Sequence, residues 1–337
     1  MAEWLLLPAL GIGAVAAASC GSVGLVRTLL FRQGILDRPN ERSSHTTATP
    51  RGGGIGLLAV LLPVWAAIGL SRGGAGWLVA ALALLLAGVS WRDDLRGLPT
   101  VPRLVAHLAV AAAGVALIPE TVFQGLLPPF WDRVTATIAL AWFINLFNFM
   151  DGIDGISGVE AVALGAGLFA IGAASGSLGE ASWQGLVLAA AAAGFLVWNW
   201  PPARVFLGDV GSVPMGFLLG WLLLALAARG HWAEALLLPL YYLADTGLTI
   251  LLRLRRRENV FRAHRQHFYQ RAVRNGRSHA TVAAAVLVVD VVLVGHAVVV
   301  ALVGAPAVWP ALISGVAFVA GLLAWMTLPV QNAAKLP

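Results

Sequence analysis

The chain has 337 residues, 59% of them hydrophobic and 11% charged, with a mean hydropathy of +0.83. Soluble domains carry roughly a quarter charged residues, so these proportions exclude an ordinary water-soluble globule and place the chain in a bilayer. The net charge of +6 marks membrane topology first and anionic lipid or anionic substrate second, with no nucleic-acid partner expected. The lone cysteine, Cys20, excludes an internal disulfide and a cysteine-rich metal centre.

A hydrocarbon core of about 30 Å takes about 20 apolar residues per helix. Eleven such stretches follow one another at roughly 4–26, 54–71, 76–91, 103–119, 134–149, 158–175, 183–199, 212–228, 232–252, 280–303 and 307–328. The expected fold is all-α: a polytopic membrane bundle of about eleven transmembrane helices, forming one domain over residues 1–337. Glu3 replaces the basic start of a signal peptide, so the first stretch is expected as a retained helix.

Of the 22 basic residues, all but Arg72, Arg133 and Arg229 fall on one side of this topology. The positive-inside rule then puts the amino terminus outside and the carboxyl terminus, with Lys335, in the cytoplasm. Trp4, Trp77, Trp131, Trp183, Trp232 and Trp309 fall at the expected outer helix ends, where an amphipathic ring belongs.

Carboxylates, amides, histidines and glycines concentrate in the cytoplasmic joins 27–53, 92–102, 150–157, 200–211 and 253–279. The first join contains Asp37, Arg38, Arg42 and His45, then Pro50, Arg51, Gly52, Gly53 and Gly54. It lacks the Gly-Lys-Ser/Thr ending of a P-loop, and reads either as a flexible lead into the second span or as a phosphate- or nucleotide-contacting loop whose glycines pack closely. In the second join Asp93 and Asp94 either pair with Arg92 and Arg96 or bind a hard divalent cation.

Asn145 and Asn148 are three residues apart and share a helix face directed toward Asp151. Asp151 and Asp154 at a membrane edge are costly unless they meet a cation, a donor or water. The next join runs from Asn199 through Phe206 and Gly208 to Asp209, Gly211 and Ser212. There the glycines permit close approach and positive φ, and Asp209 offers a third arm for a cation site. In the last join Arg253, Arg255, Arg256 and Arg257 read as a topology anchor. His264 and His267, at helical spacing with Arg265 and Gln270, are suited to holding a diphosphate.

In this order the segments resemble the polyprenyl-phosphate N-acetylhexosamine-1-phosphate transferases, relatives of phospho-N-acetylmuramoyl-pentapeptide transferase. The resemblance rests on Asp93-Asp94, on Asn145-x-x-Asn148-x-x-Asp151-Gly152-x-Asp154-Gly155, and on Phe206-x-Gly208-Asp209-x-Gly211-Ser212, with the 37–54 loop in support. It implies transfer of a sugar 1-phosphate from a UDP-N-acetylhexosamine to undecaprenyl phosphate, releasing UMP, at the cytoplasmic face of a bacterial inner membrane.

By motif matching, Asp209 would ligate Mg2+ (with Mn2+ as an alternative), and Asp93 and Asp94 would flank the metal and the lipid phosphate, with one of the two as the candidate base. Asp154, Asn199 and Phe206 would match uridine-binding positions, supported by Asn148 and Asp151. His264, Arg265 and His267, with His45 and Arg51, would stand near the phosphates. A homodimer is left open.

The chemistry is compatible with the residue types. Two unit charges 4 Å apart repel by about 4 kcal/mol even at an effective dielectric of 20, so bringing a lipid phosphate to a diphosphate calls for a cation and a basic rim.

Two departures from the family pattern bear on the substrate. The last join has a sparser histidine cluster than the muramoyl-pentapeptide and N-acetylglucosamine branches, and the muramoyl branch's first-loop lysine is absent, with Thr46 near its place and Arg42 or Arg51 as stand-ins. The chain is therefore similar to the branch serving O-antigen and other surface polysaccharides. A transporter is the rival class, disfavoured because the acids lie at one membrane edge. Asp290 and His296, inside the tenth stretch, have no assigned role.

Overall fold

The computed structural model describes residues 3–38, 47–259 and 264–330, with side chains from residue 10 onward. Every one of the eleven apolar stretches falls on helix. The first eight are α1 (Glu3–Arg32), α2 (Gly54–Ser71), α3 (Gly76–Arg96), α4 (Thr100–Ala116), α5 (Pro129–Met150), α6 (Ile156–Ala174), α7 (Glu180–Asn199) and α8 (Asp209–Ala228). The last two are α12 (His279–Val303) and α13 (Ala305–Thr327). Two residue pairs, β1 (Leu36–Asp37) and β2 (Thr49–Pro50), form an antiparallel ladder in the first join.

The ninth stretch is not the single helix expected over 232–252. It breaks at Leu238 and Pro239 into α9 (Trp232–Leu237) and α10 (Leu240–Arg255), because proline has no N–H to donate and its ring clashes with the preceding turn. The break frees α10 to present Tyr242, Asp245, Thr246, Thr249 and Arg253 inward while Leu248, Leu251 and Leu254 face outward. That is the spacing of one helical face. A short helix not expected from hydropathy, α11 (Phe268–Arg274), lies in the last join.

Among the described residues, eight helices, α1, α2, α5, α6, α7, α8, α12 and α13, are long and apolar enough to cross a membrane. Nearly every residue of α8 is buried, as a helix hydrophobic all round must be when it forms the centre of a bundle. It packs against α3 and α5, which bring Asp93, Asp94 and Asn148 to its start.

The two ends of the bundle differ in chemistry. At one, Asp132 accepts from the backbone N–H of Val122 and Phe123 at 3.0 and 2.8 Å, and the rings of Trp232 and Trp309 meet edge to face at 6.4 Å. Trp77, Trp131 and Trp183 open the helices that start at this end; the Trp4 side chain lies outside the described residues. The polar joins that follow α1, α3, α5, α7 and α10 gather at the other end.

Candidate active site

Two segments far apart in sequence pair at the polar end. The Phe206 N–H donates to the Pro50 carbonyl at 2.8 Å, and Gly52 and Gly53 donate to the Phe206 carbonyl at 3.1 and 2.8 Å. Gly54 donates to the Leu207 carbonyl at 2.9 Å. A β-carbon on Gly54 would overlap the Gly211 Cα, so the starts of α2 and α8 cross at a distance that glycine alone permits. This crossing sets Arg51 beside Asp209.

Two guanidinium groups hold three carboxylates together there. Arg51 Nη2 lies 2.8 Å from Asp94 Oδ1 and 2.9 Å from Asp209 Oδ1. Arg103 Nη1 lies 2.7 Å from Asp93 Oδ2 and 3.8 Å from Asp209 Oδ2. Asn148 Nδ2 donates to Asp209 Oδ1 at 3.1 Å and to Ser212 Oγ at 2.8 Å.

The neighbouring acids have different tasks. The Asp94 side chain is buried and accepts from the backbone N–H groups of Asp209 and Val210 at 3.2 and 2.9 Å. It thus caps α8 from another helix, satisfying N–H groups that lack intrahelical partners and sitting where the helix dipole favours a negative charge. Burial pushes the Asp94 carboxyl up to about 6, with Arg51 opposing. Asp93 turns to its own loop, accepting from the Leu98 N–H at 2.6 Å.

Among the described residues, no three acidic, histidine or cysteine side chains converge on one point as a metal cage would require. The three acids expected together from the sequence are gathered by Arg51 and Arg103, with Asp94 turned to the α8 N-terminus. Asp93 and Asp209 instead line a cavity of about 20 Å³ with Ser90, His107, Asn145 and Asn148, space for one small ion or water. Their oxygens fit a hard cation of the Mg2+ type, which is commonly held by one or two carboxylates plus substrate phosphates. Arg103 stands between the same two carboxylates.

Asp151 follows α5 directly, and burial pushes its carboxyl up to about 7, with Asp209 and Asp94 also raising it and Ser157 and Arg51 opposing. Asp154 Oδ2 accepts from the Ala203 N–H at 3.0 Å and lies 3.3 Å from His279 Nδ1. Asn199, expected at the nucleoside, is buried with both ends of its amide used: Oδ1 accepts from Gly155 and Nδ2 donates to the Val205 carbonyl, each at 2.9 Å. It stitches the Asp154 loop to the Phe206 strip. Phe206 is half-buried in that strip.

His264 and His267 do not share a helical face. His267 is the N-cap of α11, and the two rings stack with centroids 5.0 Å apart just before it, with Arg265 between them in sequence. Burial, then the neighbouring His267 and Arg253 charges, push the His264 imidazole down to about 4. Arg253 is buried rather than a free anchor, with Nε 3.0 Å from Glu258 Oε2. His45, Arg42 and Thr46 lie outside the described residues.

Sequence reasoning missed Asp245. Fully buried on α10, it accepts from the N–H groups of Phe268 and Tyr269 at 3.0 and 3.1 Å and lies 3.0 Å from His267 Nδ1. It therefore caps α11 and orients His267, much as Asp94 caps α8. An acid inside an apolar stretch was the available signal. Tyr269 Oη donates to the Phe149 carbonyl at 2.9 Å, tying α11 to the Asn148–Asp151 segment.

The sequence profile described as Glycosyl transferase family 4 matches residues 76–227, from α3 through α8, and takes in the five motif acids Asp93, Asp94, Asp151, Asp154 and Asp209. The chain is similar to the decaprenyl-phosphate N-acetylglucosaminephosphotransferase of Mycolicibacterium smegmatis, 28% identical over 308 residues, which cover 77% of this chain and 73% of that protein. It is similar to a probable undecaprenyl-phosphate N-acetylglucosaminyl 1-phosphate transferase of Bacillus subtilis, 23% identical over 267 residues, 76% of this chain and 74% of that protein. With the undecaprenyl-phosphate alpha-N-acetylglucosaminyl 1-phosphate transferase of Thermotoga maritima it is 32% identical over 190 residues, 55% of this chain and 53% of that protein. This helical membrane bundle, which carries these motifs in order, is similar to glycosyl transferase family 4 from α3 through α8.

Proposed function

We propose that the protein transfers an N-acetylhexosamine 1-phosphate from a UDP-sugar to undecaprenyl phosphate, releasing UMP and beginning a lipid-linked glycan for O-antigen or another surface polysaccharide. The observation that carries this reading is the gathering of Asp93, Asp94 and Asp209 with Arg51, Arg103 and Asn148 at one end of an apolar bundle. A lipid phosphate arriving from the bilayer and a soluble nucleotide sugar would meet there. The basic residues of the same joins support a cytoplasmic orientation for this end.

A phosphate oxygen of the acceptor attacks the β-phosphorus of the UDP-sugar, and the bond to the UMP oxygen breaks. Arg51 and Arg103 offset the charge that accumulates, in a site where fixed donors act more strongly than water does. Mg2+ held by Asp209 and Asp93 would neutralise the diphosphate and the departing UMP. Asp94 holds the start of α8 so that Asp209 faces the phosphates, and Asp151 accepts a proton from an acceptor that arrives as the monoanion. His267, oriented by Asp245, and His264 contact the diphosphate, with Phe206 and Asp154 at the nucleoside.

The test is UMP release by purified protein in detergent with undecaprenyl phosphate, Mg2+ and a panel of UDP-N-acetylhexosamines that includes 6-deoxy sugars. Release with one donor, lost in Asp209→Ala, supports the reading and names the sugar. Folded protein that releases no UMP with any donor overturns it.

A further inference from the structure

The pairing of α12 with α13 leaves an apolar groove open to the bilayer. A cavity of about 570 Å³ lies between the two helices, with buried Val289 and Leu322 as its floor and exposed Val288 and Phe318 as its walls. Gly321 keeps it open, since a β-carbon there would meet nothing within 4 Å. From Phe318 to Trp325 the groove follows α13 for about two turns, about 11 Å at 1.5 Å per residue. That is most of the depth of one hydrocarbon leaflet, about 15 Å. The groove stops at Trp325, two residues before α13 ends, so it has the length and the level of an acyl chain in the leaflet at the polar end.

The mouth of the groove carries charge of one sign. The Arg277 guanidinium lies over the Trp325 ring, 4.2 Å from its centroid, and donates to the Leu328 carbonyl. A guanidinium has five N–H donors, so this bond leaves others for a further acceptor. Arg274, exposed in the last turn of α11, adds a second cation. Among the described residues no carboxylate pairs with Arg274 or Arg277.

Charge and position select the occupant. A second copy packed symmetrically across this face in the same membrane would set arginines against arginines at one level of the bilayer, and like charges across an interface are costly. A polyprenyl phosphate would satisfy the arginines, but its phosphate would then lie on α12 and α13, which pack against α6, α9, α10 and α11. The carboxylates Asp93, Asp94 and Asp209 come from α3 and α8. A membrane phospholipid with an anionic headgroup supplies both a chain for the groove and phosphate oxygens for the guanidinium.

The mouth of the groove is also fastened to the candidate site. Asn275, which closes α11, donates to the Met326 and Thr327 carbonyls at 3.2 and 3.0 Å and accepts from the Val330 N–H at 3.1 Å. At its other end α11 begins at His267, which Asp245 orients. We propose that the α12–α13 groove binds an anionic phospholipid of the leaflet at the polar end, one acyl chain along Gly321 and the phosphate on Arg277, and that this lipid braces α11 and with it His267. The lipid site stands on the groove and its charges alone; only an effect on turnover rests on the transferase reading.

The test is native mass spectrometry of the detergent-purified protein with phosphatidylglycerol, phosphatidylcholine of the same chains, or undecaprenyl phosphate as the probe. Preferential retention of phosphatidylglycerol is expected, lowered about fivefold in Arg277→Gln, the worth of one arginine at an anionic surface, and lost in Gly321→Leu, whose side chain fills the groove. Because Gly321 faces open space, that variant is expected to keep the wild-type Tm, and it carries the test if Arg277→Gln does not fold. Equal retention of the two phospholipids, or phosphatidylglycerol retention unchanged in Gly321→Leu, overturns the proposal. Loss of undecaprenyl phosphate alone in that variant overturns it in favour of the acceptor, and a dimer that the variant dissolves overturns it in favour of a second copy. For the brace, adding phosphatidylglycerol to phosphatidylcholine vesicles is expected to raise UMP release by the wild type and not by Gly321→Leu; an equal response in both overturns the brace. Selective phosphatidylglycerol binding with no UMP release from any donor would refute the transferase reading and leave the lipid site standing.

Discussion

The Asp94 carboxylate accepts the backbone N–H of Asp209 at 3.2 Å and that of Val210 at 2.9 Å, so an acid of one sequence motif is the cap of the helix that carries another. Asp94→Ala is therefore expected to lower stability as well as activity. Loss of a cap costs about 1 kcal/mol, and Arg51 loses one of its two partners. Asp209→Ala leaves the cap in place and is expected to reduce UMP release by about a hundredfold or more with a smaller shift in Tm. Thermal unfolding in detergent beside UMP release separates the two.

Gly54→Ala would set a β-carbon onto the Gly211 Cα, against backbone that cannot rotate away. Overpacking of this kind costs about 1–3 kcal/mol. The separation of α2 from α8 would draw Arg51 off Asp209, so activity is expected to fall further than Tm. Wild-type turnover in Gly54→Ala would show that the crossing does not set the site.

Arg51 reaches both Asp94 and Asp209 through a single nitrogen, which a lysine on a shorter, differently shaped head does not reproduce. Arg51→Lys is expected to lower kcat/KM by about tenfold to a hundredfold, the range of a lost hydrogen bond between charged groups. Steady-state kinetics at fixed Mg2+ checks it.

Removing divalent metal by chelation is expected to abolish UMP release, and Mg2+ to restore it. Because Arg103 lies between Asp93 and Asp209, Arg103→Gln is expected to lower the Mg2+ concentration needed for half-maximal activity while also lowering kcat. A Mg2+ titration of both proteins decides this, and a half-saturation point moved upward would contradict it.

Burial holds the Asp151 carboxyl near 7, above the ordinary value of about 3.9. The folded protein therefore binds the extra proton between about 4 and 7, so this group's contribution to stability is fully present below that window and is lost as pH rises through it. Activity is expected to run the opposite way, rising through about pH 7 as Asp151 ionises and becomes able to accept a proton. Asp151→Asn is expected to flatten that limb of the pH–rate profile and to reduce the pH dependence of Tm.

How much of this was legible in the sequence depends on the range of the interaction concerned. All eleven apolar stretches fall on helix because burial of a continuous apolar segment is a local property, and backbone groups in lipid must be satisfied within the segment. The Asp-Asp, Asn-x-x-Asn-x-x-Asp and Gly-Asp-x-Gly-Ser patterns, with their basic neighbours, likewise stood in the sequence as candidates for one polar end.

The partners of those acids were decided by tertiary packing. Nothing near Asp94 in sequence indicates that it caps α8, or that Asp245 caps α11 and turns His267. Each bond joins a carboxylate on one helix to N–H groups that open another, and only the crossing of the helices creates the pair. The burial of Glu160 and Asp290 is of the same kind: they lie on α6 and α12, and the packing of these two helices against each other hides both from water.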